Sequence, residues 1–64
     1  MTRQEAIQAM REGLKVTHRL FSEDEWITMQ DGKIVDEKGY RFPPHEFWRY
    51  RTSNVFGQDW EIKE

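Results

Sequence analysis

Apolar residues near the start of the chain recur at helical intervals. Ala6, Ile7, Met10 and Leu14 form one stripe, and Gln4, Gln8, Arg11 and Glu12 take the opposite side. Thr2 and Glu5 stand at the spacing of a capping box, in which each side chain satisfies the other's free amide. Gly13 suits the left-handed conformation that ends a helix. The pattern predicts a helix over Thr2 to Glu12.

Beyond Gly13 the period shortens to two. Lys15 to Leu20 reads as a strand with Val16, His18 and Leu20 on one face. Ser22-Glu23-Asp24 reads as a turn. Glu25 to Gln30 is a second strand, with Trp26 and Thr28 opposite Ile27 and Met29. Asp31-Gly32 is a hairpin signal, because a tight primed turn needs positive φ at both central positions. Lys33 to Val35 returns, Lys38-Gly39 turns again, and Tyr40-Arg41-Phe42 continues the meander.

Pro43-Pro44 stops strand pairing, since neither residue donates a ladder hydrogen bond. Pro44 also suits the first position of a short helix over His45 to Arg51. Thr52 to Gly57 reads as a loop, and Gln58 to Lys63 as a last strand that carries Trp60 and Ile62 inward. The expected fold is α+β, a single small domain over residues 1–64. An N-terminal helix packs on an antiparallel β-meander of four to five strands, with a short second helix before the last strand.

Composition narrows the chemistry. Sixty-four residues without cysteine leave neither disulfides nor thiolate metal sites, and His18 and His45 show no ligand spacing. Stability must then come from an aromatic-rich core or from self-association, and the nine aromatic residues, each able to bury about 150–250 Å², favour both. A net charge of −2 lacks the basic footprint of nonspecific nucleic-acid binding. The polar, charged N-terminus reads as no secretory signal, and no apolar run has membrane length. A cytoplasmic setting follows as the expectation. P-loop, dinucleotide and nucleophile-elbow motifs are missing, so neither an enzyme nor a cofactor or metal is expected.

The densest chemistry lies in Tyr40 to Arg51 (YRFPPHEFWRYR), which holds five of the nine aromatics and three of the six arginines. A short helix buries only one face, so Phe47, Trp48 and Tyr50 cannot all be hidden within it. Trp48, Arg49 and Arg51 are therefore candidate contacts for a protein target, another copy of the chain, or a planar anion. Phe21, at the exit of the first strand, either caps the core or offers a stacking platform. His18 is either a buried, hydrogen-bonded residue or a ligand contact. Trp26 and Trp60 read as core. Asp59 must face away from Trp60 and is expected to be exposed, as an acceptor for a hydroxyl or an arginine.

The order of motifs resembles a known family. EAIQAMREG (Glu5 to Gly13) leads into KVTHRLF (Lys15 to Phe21), followed by Trp26-Ile27, a DGK hairpin and a closing DWEI (Asp59 to Ile62). This order resembles small phage and prophage proteins of the Thoeris anti-defence type 2-like family. The resemblance implies a homo-oligomer that sequesters a cyclic nucleotide-type immune signal between subunits without cleaving it. It implies rings stacking on the base, arginines neutralising phosphate and Asp59 taking ribose hydroxyls. Phe21 stands where that family has tryptophan, and His18 where it has arginine; Asp59 and Trp60 match directly. An alternative from the same setting is an anti-CRISPR-like inhibitor of a host defence protein, anchored by the aromatic and arginine patch. A weaker alternative is an accessory phage protein that only dimerises.

Overall fold

A computed structural model describes all residues, 1–64. The chain folds as α1 (Arg3–Arg11), β1 (Val16–His18), β2 (Ile27–Gln30), β3 (Lys33–Asp36), β4 (Arg41–Phe42), α2 (Pro44–Arg49), a 3-10 turn (Asn54–Gly57) and β5 (Trp60–Ile62). This is the α+β class expected, with the second helix ahead of the last strand. No helix is long and apolar enough to cross a membrane.

Both capping-box bonds are present at α1. Thr2 N–H donates to Glu5 Oε1 at 2.8 Å, and Glu5 N–H donates to Thr2 Oγ1 at 3.1 Å. The helix lays Ala6, Ala9 and Met10 on the sheet, all three buried.

The five strands are ordered β4-β3-β2-β1-β5, every neighbour antiparallel. β1 to β4 form the meander, while β5 returns to the far edge beside β1. Register pairs Val16 with Ile27, Ile34 with Phe42, and His18 with Trp60. Side chains opposite one another share a face, so these six project to one side and meet α1 and Phe47 there. Trp60 is the hub of that layer. Its ring meets His18 at 4.8 Å, Phe21 at 5.5 Å and Trp48 at 5.6 Å, and Nε1 donates to Phe56 O at 2.9 Å.

Three expectations change. β1 ends at His18, because Phe21 N–H bonds His18 O and Leu20 N–H bonds His18 Nδ1. That turn sends Leu20 into solvent, 54% exposed. Trp26 is half-buried rather than core, since it precedes the ladder on the outer face and Lys15 Nζ covers its ring at 4.3 Å. Ile62 remains 42% exposed, because β5 is a sheet edge.

The β2–β3 hairpin closes on Gln30 and Lys33, with Asp31 at φ 52° and Gly32 at φ 77°. A Cβ built at Gly32 meets nothing within 4 Å, so any side chain there costs conformation alone. Gly32→Ala is expected to lose about 1–2 kcal/mol, the penalty for an L-residue in the left-handed region. The check is a lowered urea midpoint at constant slope; an unchanged midpoint would refute the turn assignment.

Candidate functional site: an aromatic cleft with an acidic rim

The geometry of α2 produces the site. Six residues make under two turns, and Phe47 is the one among them that is buried. Trp48 is half-buried beside Trp60, with the Arg3 guanidinium 5.0 Å from its ring centre. Tyr50, just beyond the helix, is 78% exposed. The expectation that this segment cannot hide all its rings therefore holds.

Between α2, the sheet and the loop from Phe21 to Glu25 lies a cleft of about 230 Å³. Phe21, Phe42, Phe47 and Tyr50 contribute to its walls, and Glu25, Asp36, Glu37, Glu46 and Arg51 are the charged residues lining it. The lining carries four carboxylates to one guanidinium, an acidic balance that Lys38 near Glu25 and Arg49 beside Tyr50 offset only in part.

The carboxylates are held in different ways. Glu25 Oε1 accepts from Ser22 N–H at 3.0 Å and from Ser22 Oγ at 2.9 Å. The Ser22 N–H, then its hydroxyl, hold the Glu25 carboxyl below the usual carboxylate range, because both bonds favour the charged form. Asp36 Oδ1 accepts from the amides of Lys38 and Tyr40 at 3.0 and 2.9 Å, which shapes the turn into β4. Arg51 lies against the floor. Its Cζ is 4.0 Å from the Phe47 ring centre, and Nη1 donates to Phe47 O at 3.2 Å. Burial lowers the Arg51 pKa, and the charge of Glu25 opposes that shift.

The six residues singled out from sequence do not converge. Phe21 and Arg51 line the cleft. His18 is 3% exposed, with Nε2 at 2.8 Å from both Val55 O and Gln58 O while Nδ1 accepts from Leu20 N–H. Both ring nitrogens are committed within the chain, so the buried, hydrogen-bonded reading of His18 fits and the ligand contact does not. Trp48 belongs to the aromatic hub. Arg49 is exposed beside Tyr50, its Cζ 5.8 Å from that ring centre. Asp59 is exposed as expected, but its partner is Arg19 of the same chain, Nε to Oδ2 3.2 Å.

Sequence reasoning missed Glu46, Asp36, Glu37 and the role of Phe42. The available signal was spacing: Glu46 and Tyr50 stand four apart, one helical turn, at the start of the exposed run. No protein family matches the chain, nor does any curated protein or solved structure.

Proposed function

We propose that this protein is a non-catalytic binding module that captures a cationic segment of a partner protein in its aromatic cleft. Among the two main expectations this is the inhibitor-type one. The carrying observation is the charge of the cleft, four carboxylates to one arginine around aromatic walls. Rings bind cations through their negative faces, and carboxylates add charge-assisted hydrogen bonds.

The same surroundings repel the phosphates of a cyclic nucleotide. A volume of about 230 Å³ also lies below the range of about 300–1,000 Å³ that encloses drug-sized ligands. Sequestration of a nucleotide in this cleft would need a second copy to bring both the remaining volume and the positive charge; the more open hollow of about 540 Å³ beside Arg19, Asp59 and Trp60 also carries Glu5 and Glu61. The bacterial-defence setting rests on the motifs at the two ends of the chain.

Thermal unfolding in the presence of a mixed lysine–arginine peptide, and separately of cyclic ADP-ribose isomers, tests the reading. At about 100 times its dissociation constant the peptide is expected to add ~2.7 kcal/mol of stability. Added salt should weaken that gain, and the nucleotides should leave the transition in place. Stabilisation by a nucleotide and none by the peptide would reverse the assignment.

A further inference from the structure

Arg51 displays how a guanidinium sits in this cleft. Its flat group lies over the Phe47 ring while one nitrogen bonds a carbonyl. A planar cation on a ring, with its remaining donors forked onto carboxylate, is the recognition mode in which arginine surpasses lysine. The cleft holds more of both elements than Arg51 uses. Tyr50 presents 78% of its surface to solvent even with the Arg49 guanidinium 5.8 Å from its ring centre. Glu46 stands four residues before it and also lines the cleft, and the one salt bridge of the chain, Arg19 to Asp59, lies elsewhere.

The nature of a cation that suits this cleft can be narrowed. No three acidic or histidine side chains are grouped so as to hold a metal ion. Calcium needs six to eight oxygens about one point, whereas these carboxylates come from three separate segments and form no such group. An extended organic cation suits that spread. The volume of about 230 Å³ suits one long side chain and excludes a packed helix or strand.

Resting on the cation-binding reading above, we propose that the cleft reads a single arginine side chain of the partner. The guanidinium lies on Tyr50 and forks onto Glu46, next to the resident Arg51. Arg51 is then both a template for the mode and a like-charged competitor. Its removal strengthens binding, whereas removal of an anion-reading arginine weakens it.

The test is an NMR titration of the full chain with three blocked glycine peptides, carrying one central arginine, lysine or citrulline. The arginine peptide is expected to shift Phe42, Glu46 and Tyr50 resonances saturably. Neutral citrulline, with the same shape, should bind at least about tenfold more weakly, the loss that follows from one charge-assisted hydrogen bond. Glu46→Gln and Tyr50→Ala lie at exposed positions, and each should weaken arginine binding while leaving the melting temperature unchanged. Arg51→Gln should tighten it. Equal binding of the lysine peptide would overturn the arginine assignment and leave the cation reading standing. Absence of saturable shifts with either cationic peptide would overturn both, and equal binding of citrulline would show that charge plays no part.

Discussion

Trp60→Ala is expected to abolish the cooperative fold. Large-to-small changes at a buried tryptophan cost about 3–5 kcal/mol. Trp60 is fully buried, and its ring contacts His18, Phe21, Trp48 and Phe56. Such aromatic pairs contribute roughly 0.5–1.5 kcal/mol each beyond the area they bury. At about 0.05–0.15 kcal/mol per residue, a domain of this length has roughly 3–10 kcal/mol in total. One side chain therefore accounts for most of the margin. Near-UV circular dichroism and urea titration read the outcome directly. A Trp60→Ala variant that unfolds cooperatively within about 1 kcal/mol of the parent would show that the hub is not where the stability resides.

His18→Leu is expected to cost on the order of 2–4 kcal/mol, although leucine is apolar and similar in bulk. The loss is one of hydrogen bonds. Nε2 sits between two carbonyl oxygens, Val55 O and Gln58 O, and Nδ1 takes the amide of Leu20. With leucine in place, three backbone groups beside the core lose their partner, and each buried group left unpaired costs about 1–3 kcal/mol unless water reaches it. His18→Gln, whose amide can donate to the same carbonyls, should recover part of the loss. Chemical denaturation of both variants decides it. Equal destabilisation by leucine and glutamine would make packing, rather than the hydrogen bonds, the source.

The sequence patterns carried the local structure far better than the site. The capping box fixed α1 to within a residue, and Asp31-Gly32 placed the first hairpin turn. The limit on what a short helix can bury foretold an exposed ring in Phe47 to Tyr50 without saying which; it is Tyr50, whereas Trp48 packs half-buried beside Trp60. None of this shows where β5 goes, because a period of two identifies a strand and not its neighbour. The inward face of His18 was legible, whereas its partners lie 37 and 40 residues away. The cleft was hidden for the same reason. Glu25, Asp36 and Glu46 belong to three separate segments that sheet register and α2 bring together.

The arginines were the most misleading signal. Three of them near so many rings suggested a surface for anions. In the folded chain two of those three lie by the protein's own rings, Arg49 beside Tyr50 and Arg51 on Phe47, while Arg41 is exposed; outside the cluster, Arg3 lies on Trp48. Arg3 and Arg51 are thus engaged with rings of the aromatic layer, and carboxylates outnumber arginine in the lining of the cleft.

The seat of β5 beside β1 also governs the order in which the fold can be acquired. Hairpins such as β2–β3 close within about 1–10 μs, because their partners are adjacent in sequence. Residues 19 and 59, by contrast, must meet across 40 positions before the β1–β5 ladder exists. Closing so long a loop costs entropy that only the later contacts return. The meander and α1 can therefore form as a loose scaffold while the place for Trp60 among the rings stays vacant. A nascent chain halted before that residue has α1, four of its strands and α2, yet lacks the latch that holds them together.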